Sequence, residues 1–260
     1  TLCRTPGKPT VQLGFPYVDT LKLQQKLGHG ATLLHDLKHL DAGLRDLLGR
    51  QTLAAGFCEI PGNPLLGSAD LRSITPILRE HGVPLVADDV VATPFNVDLR
   101  PHADLIATSL TKYMAGTGDV MGGAVICNPR SPYAAELKGH LQSQHEELLW
   151  AGDAAVLDAQ ACGCPERMRR HNANGRLLAE RLRAHPSVER VWYPKWEFSE
   201  IYEAVRRPDG GWGSLITFLP RNGVYWSPFG STFYSPGMIT NLYVPQRSIS
   251  MAGAAPTNIG

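Results

Sequence analysis

Residues 84–88 read Pro84-Leu85-Val86-Ala87-Asp88. The run is apolar without alternation and ends on a carboxylate. It is too short for a helix, so it reads as a strand buried on both faces. Upstream, Ser68 to His81 reads as a helix. Ser68 or Thr75 is its expected N-cap, Pro76 an irregularity or first-turn residue, and Gly82 its end. Further back, Leu53 to Cys58 is another short apolar run, broken by Glu59-Ile60-Pro61-Gly62-Asn63-Pro64. Downstream, Asp104 to Thr108 is a third strand, ending just before Ser109, and Gly123 to Cys127 is a fourth. Short apolar strands separated by crossovers indicate an α/β fold, a largely parallel sheet with helices on both faces. Such crossovers are expected to be right-handed.

After Asn128-Pro129 the texture changes. Tyr133 to Gln144 and Asp153 to Ala161 read as helices. Glu166 to Ala184 reads as a long amphipathic helix, with Met168, Leu177, Leu178 and Leu182 on its apolar stripe. Val188 to Tyr193, Phe198 to Arg206 and Ser214 to Leu219 read as strand, helix and strand. A smaller α+β unit is therefore expected over residues 151–220, after a large domain over 1–150, with the boundary near 145–165. Residues 221–260 are rich in Ser, Pro, Gly, Tyr and Asn and carry no predicted element.

Bulk properties exclude several function classes. Hydrophobic residues are 43% of the 260 and charged residues 19%, which supports a packed core rather than disorder. A formal net charge of +1, with no basic stripe, gives no electrostatic case for nucleic acid. No apolar run approaches the length of a membrane span. The chain opens on Thr1 without a signal peptide's apolar region, so it is expected to start inside a longer protein. Five scattered cysteines (Cys3, Cys58, Cys127, Cys162 and Cys164) read as reduced thiols of a cytoplasmic protein. Cys162-Gly163-Cys164 has no second ligand pair at a zinc spacing and reads as a helix end, so no metal is expected.

In an open α/β sheet, ligands sit beyond the carboxyl ends of the strands. Asn63, Asp88, Ser109, Thr111 and Lys112 all follow such ends. A lysine amine condenses with an aldehyde when its neutral form is accessible. A pyridoxal phosphate (PLP) ring needs a carboxylate beside its nitrogen and donors around its phosphate. Asp88, Lys112 and the Ser109/Thr111 pair meet those needs. Spacing alone leaves ordinary readings open: a strand-end Asp is usually a cap, and a Lys after a strand is usually solvated.

The words around these residues narrow the choice. Ser109-Leu110-Thr111-Lys112-Tyr113, followed by Gly116-Thr117-Gly118-Asp119-Val120-Met121-Gly122-Gly123, resembles the signature of the Cys/Met-metabolism PLP enzymes. Val86-Ala87-Asp88-Asp89-Val90-Val91-Ala92-Thr93-Pro94 resembles that family's V-D-N-T-F-A-T-P, and Glu59-Ile60-Pro61-Gly62-Asn63-Pro64 its E-x-P-x-N-P. Gly14-Phe15-Pro16-Tyr17-Val18-Asp19-Thr20-Leu21-Lys22 and Arg206-Arg207-Pro208-Asp209-Gly210-Gly211-Trp212-Gly213 resemble the fungal branch of cystathionine γ-synthases. The likeness runs from about residue 11 to about residue 220.

The resemblance implies a PLP-dependent aminotransferase-like fold (fold type I). It implies γ-replacement on an O-acylhomoserine by cysteine, with a related lyase or a sulfhydrylase as the alternative. Lys112 would bond to the cofactor's aldehyde and then shuttle protons. Asp88 would pair with the ring nitrogen, Ser109 and Thr111 would hold the phosphate, and Asn63 would sit near the ring hydroxyl. A small amino-acid substrate and a homo-oligomer are implied as partners. Departures are also expected. The family's N-terminal portion has no counterpart here, and its carboxylate-binding arginine has none; Arg247 is a poor match. Ser227 to Phe233 resembles a damaged family segment. Asp89, Val90 and Val91 replace family Asn and Thr/Phe positions, so Asp89 adds a carboxylate beside Asp88. A non-catalytic remnant that at most binds PLP is therefore the alternative from a different class. An unrelated doubly wound domain with a surface Lys112 is the weakest.

Overall fold

The computed structural model describes residues 5–221 and, as backbone, residues 240–243. Six strands form the main sheet: β1 (Thr10–Leu13), β2 (Ala31–Leu34), β3 (Gly56–Glu59), β4 (Leu85–Asp88), β5 (Leu105–Ser109) and β6 (Gly123–Cys127). Their order is β2-β1-β3-β4-β5-β6. The first five are parallel, and β6 pairs antiparallel with β5 at the edge. Helices α1 (Val18–Leu27), α2 (Leu40–Arg50) and α3 (Leu71–Glu80) carry the chain between successive parallel strands. No crossover helix lies between Ser109 and Gly123. That stretch holds a π-helical turn (Leu110–Met114) and a Gly-rich loop, so the chain doubles back and β6 runs against β5.

The core forms where α2 and α3 lay their apolar faces on the sheet. Leu44 and Leu48 of α2 and Ile74, Ile77 and Leu78 of α3 pack with Val11, Leu13, Leu85 and Ala87. Helix α3 differs from expectation at its start. Its N-cap is Asp70, whose carboxylate accepts the Arg72 N–H at 3.1 Å. Ser68 is buried two residues earlier, and Thr75 and Pro76 lie inside the helix. A carboxylate at the N-terminus also meets the positive end of the helix dipole. Asp70→Ala is expected to cost about 1 kcal/mol in urea denaturation.

Local sequence pattern assigns no element before Leu53, yet β1, α1, β2 and α2 stand there. Strand β1 hides its signal because it buries polar residues. Thr10 Oγ1 donates to Gln24 Oε1 at 2.8 Å, and Gln24 Nε2 donates to Gln12 Oε1 at 2.9 Å. The three side chains satisfy one another, so their burial is tolerated.

The remaining elements are α4 (Ala134–Ser143), α5 (Ala151–Ala161), α6 (Cys164–Ala184), β7 (Val188–Trp192), α7 (Ser199–Val205), β8 (Leu215–Pro220) and β9 (Thr240–Tyr243). The last three strands make a small antiparallel sheet, β7-β8-β9. Strand β9 falls in the tail that carries no predicted element. Its pairing comes from the edge of β8, which a local pattern does not reveal. Cys162 to Cys164 form the joint between α5 and α6, as the helix-end reading expects. Helix α6 departs from its predicted stripe at Leu177, which is 40% exposed, while Met168 is buried and Leu178 and Leu182 pack half-buried against the core beside the small sheet. The fully buried positions are Cys164, Arg167, Met168, His171, Gly175 and Ala179. The spacing is helical, but half of these residues are polar or lack a side chain, so a search for apolar residues passes them over. No helix among the described residues is long and apolar enough to cross a membrane.

Candidate functional site

Strand register decides which predicted site residues share a face. Glu59 pairs with Asp88 across β3 and β4, and Asp88 pairs with Ala107 across β4 and β5. Ser109 lies two residues beyond Ala107. Side chains alternate along a strand, so Glu59, Asp88 and Ser109 point to one face of the sheet, at its carboxyl edge. Asp89 turns the other way, and its carboxylate meets the Thr108 side chain. The π-helical turn begins directly after Ser109 and carries Thr111 and Lys112.

Each predicted residue has a distinct state. Asp88 is half-buried, and one carboxylate oxygen accepts the Val90 N–H at 2.8 Å. Its other oxygen has no hydrogen-bond partner among the described residues. Burial raises its pKa above the usual aspartate value, and the Val90 bond opposes that shift. Ser109 is half-buried, and its hydroxyl has no partner among the described residues. Lys112 is exposed and makes no ion pair or hydrogen bond among them. Its backbone is kinked within the turn, at φ −84° and ψ −107°. Thr111 is engaged: its hydroxyl donates to the Gly122 carbonyl (3.4 Å) and accepts the Gly122 N–H (3.2 Å). It therefore closes the Gly-rich loop over the lysine turn. Asn63 is exposed, between the cis Ile60–Pro61 and Asn63–Pro64 peptides, and its backbone N–H rests on the Glu59 carboxylate. Arg247 and the Ser227 to Phe233 segment lie outside the described residues.

The donor set fits PLP. A carboxylate with a spare oxygen, a hydroxyl with no partner and an unpaired amine stand at the ends of the neighbouring strands β4 and β5. Among the described residues no cluster of three or more His, Cys, Asp or Glu is arranged to hold a metal. A separate cavity of about 540 Å³ opens near the carboxyl ends of β1 and β3, walled by Phe15, Gly62, Leu66 and, from the small sheet's side, Trp192. Its position is the switch point of the strand order, a common ligand site. Neither Asp88 nor Lys112 lines it, so the cavity and the donor set are separate features.

Two buried carboxylates stand beside Asp88, and sequence pattern singles out only one of them. Asp89 is 2% exposed and one of its oxygens has no hydrogen bond. Burial, with Asp88 adding like-charge repulsion and Thr108 opposing, pushes its pKa up to about 6. Glu59, 6% exposed, stands in a recognisable word but nothing in it marks the carboxylate as buried. It accepts the backbone N–H groups of Tyr17 and Asn63, stitching the loop after β1 to the loop after β3. Burial outweighs these bonds, Asp88 repels it, and its pKa is pushed up to about 7. The folded state thus binds this proton more tightly than the unfolded chain, whose glutamate titrates near 4.5. Stability should fall as pH rises from about 4.5 to about 7 and level off above that. Glu59→Gln keeps an acceptor but does not titrate. It should flatten the urea-denaturation stability curve over that window by about 3 kcal/mol. Asp89 contributes a slope of the same sign, from about 3.8 to about 6, in both proteins.

Comparison with known proteins gives a consistent result. The family model for Cys/Met metabolism PLP-dependent enzymes matches residues 31–228. Cystathionine γ-synthase of Neurospora crassa is 38% identical over 227 residues, 83% of this chain and 36% of that protein. Its Saccharomyces cerevisiae counterpart is 31% identical over 224 residues, 82% of this chain and 35% of that protein. The chain thus spans little more than a third of these relatives. Cystathionine γ-lyase of Lactobacillus plantarum, solved with L-serine, superimposes with a TM-score of 0.70 at 26% identity, over 83% of this chain and 57% of that one.

Proposed function

The chain belongs to the Cys/Met metabolism PLP-dependent enzymes, and from that premise we propose that it is the cofactor-bearing part of a cystathionine γ-synthase-type transferase. The reaction would be γ-replacement: the thiol of cysteine takes the place of the acyloxy group of an O-acylhomoserine, giving cystathionine and a carboxylic acid. The observation that carries this reading is the set of three groups with bonding capacity to spare, on Asp88, Ser109 and Lys112, at the ends of β4 and β5.

When bound, PLP supplies an electron sink for cleavage at the substrate's α carbon. Lys112 would hold it through the side-chain amine and, once released, would carry protons on and off the substrate carbons. The spare oxygen of Asp88 would accept the ring N–H, and its charge would keep that nitrogen protonated. Ser109 would donate to the phosphate. Thr111 contributes indirectly in this conformation, through the loop it closes on Gly122, and would turn to the phosphate by giving up its weak 3.4 Å bond. Asn63 would face the ring from the β3 side. A cytoplasmic setting and a homo-oligomer belong to the same reading.

A lyase is the second reading, favoured by the likeness to a cystathionine γ-lyase structure. The same residues would serve both. Product analysis by mass spectrometry, with PLP present, separates them. Cystathionine formed from an O-acylhomoserine and cysteine supports the synthase. Cysteine released from cystathionine supports the lyase, and homocysteine formed from an O-acylhomoserine and sulfide supports a sulfhydrylase. PLP uptake without any product means a chain that binds its cofactor and does not turn over. Failure to take up PLP overturns the proposal.

A further inference from the structure

The side chain of Arg167, at the start of α6, is 8% exposed and has no carboxylate partner among the described residues. A buried guanidinium is costly unless its donors are satisfied. Here carbonyl oxygens satisfy them. Nε and Nη2 donate to the Tyr113 carbonyl at 3.4 and 3.2 Å, and Nη2 donates to the Met114 carbonyl at 2.6 Å. Nη1 and Nη2 both reach the Gln160 carbonyl at 3.1 Å. Tyr113 and Met114 end the π-helical turn, and Gln160 lies in the last turn of α5. The last carbonyls of a helical segment lack partners within the helix and carry partial negative charge. Two such ends converge on one cation, which explains its burial without a carboxylate.

The turn held in this way is the one that carries Lys112. The kinked backbone at Lys112 directly precedes the two clamped carbonyls. The Lys112 carbonyl accepts the N–H groups of Ala115 and Gly116, the latter at 2.9 Å. Tyr113 is fixed at its far end as well: its hydroxyl pairs with Ser214 at 3.2 Å, and its ring meets His171 edge-on at 5.3 Å. Gly116 completes the clamp. It has φ +75°, and a Cβ there would stand 2.5 Å from Arg167 Nε.

We propose that Arg167 is a positioning residue for Lys112: by clamping the Tyr113 and Met114 carbonyls it sets the direction in which the lysine leaves the turn. This rests on the reading of Lys112 as the residue that bonds to PLP. Arg is suited to the task because its fork reaches several acceptors at once, which a Lys cannot do.

The test uses the whole chain and PLP. In Arg167→Met, borohydride trapping at Lys112 is expected to slow by about ten- to a hundredfold, with the visible absorption of the bound cofactor weakened or shifted. Arg167→Lys should recover only part of the trapping rate. Trapping at Lys112 and absorption unchanged from wild type in a folded Arg167→Met protein would overturn the proposal. If Arg167→Met does not melt cooperatively, a folded Arg167→Lys protein decides the matter: slowed trapping supports the clamp, wild-type trapping overturns it. A third measurement needs neither variant nor cofactor. The Ala115 and Gly116 amides of the wild-type chain should be protected from hydrogen exchange, and rapid exchange overturns the clamp. Absence of any label at Lys112 in the wild-type chain would remove the cofactor role of Lys112, while the exchange data would still judge the clamp by itself.

Discussion

Lys112→Ala should take no borohydride-stable PLP label, and any turnover should fall at least about a thousandfold. The expectation starts from the state of the side chain. Lys112 is exposed and unpaired among the described residues, so no structural bond is lost on its removal. Stability should therefore stay within about 0.5 kcal/mol of wild type. A large functional loss with little stability change separates chemistry from folding. Lys112→Arg sharpens the point, since it keeps the positive charge and cannot condense with an aldehyde. It should fail as completely as the alanine variant. Lys138, exposed on α4, is the control: Lys138→Ala should label and turn over like wild type. Peptide mapping of the trapped protein reads the result directly. A stoichiometric label on one other lysine of the Lys112→Ala protein would sink the assignment, because it would place the cofactor elsewhere.

The parts of this molecule that a sequence discloses are those whose signal is local. An unbroken apolar run ending in a polar residue marks β4 and β5 to within a residue, and β3 with a start three residues early, because a strand buried on both faces has little room for polar side chains. The residues just past those runs must lie at the carboxyl edge of a parallel sheet, so Asp88, Ser109 and Lys112 fall together without knowledge of any contact. Arg167 is hidden for the opposite reason. An arginine among Glu166, Arg169 and Arg170 reads as part of a solvated face, and only the arrival of three carbonyls from two other segments makes it internal. Glu59 sits in a word that can be recognised, yet the Tyr17 N–H it accepts comes from a loop 42 residues earlier. Thr111 reads as a phosphate donor, while its partner Gly122 lies beyond a loop whose closure no pattern shows. The antiparallel turn into β6 is hidden for the same reason, since direction depends on where the loop leads.

The second large effect is expected far from the lysine. Gly175→Ala should destabilise the protein by at least about 3 kcal/mol, seen as a lower urea midpoint with little change in slope. Gly175 lies in the buried face of α6, where the helix meets the backbone that enters β8. A Cβ there would overlap the Gly213 carbonyl oxygen and stand 2.8 Å from Ser214 Cα. Both neighbours are backbone, so no rotamer change can relieve the clash. Nor can the segment retreat easily. Asn96 and Asn172 exchange side-chain hydrogen bonds at 3.0 and 2.7 Å. Their oxygens also accept the Gly211 N–H at 2.8 Å and the Gly213 N–H at 3.0 Å. This clasp ties the loop after β4, helix α6 and the glycine-rich approach to β8 into one unit. Ser214, the next residue along, bonds to the hydroxyl of Tyr113. A displacement of α6 would thus be transmitted to the lysine turn both through Ser214 and through Arg167. Gly175→Ala should therefore also slow trapping at Lys112 under conditions where the protein is still folded. Gly139 is the contrast. It lies inside α4, a methyl group added there would meet nothing within 4 Å, and its φ is not in the left-handed region. The same substitution there only restricts the unfolded chain and improves helix propensity, and should stabilise by about 0.5–1 kcal/mol. Opposite signs for one chemical change, made in two helices of the same protein, would show that the cost at Gly175 lies in the backbone contact. Equal signs would mean that α6 and the β8 approach can separate without loss, and the clasp would then have no hold on the lysine turn.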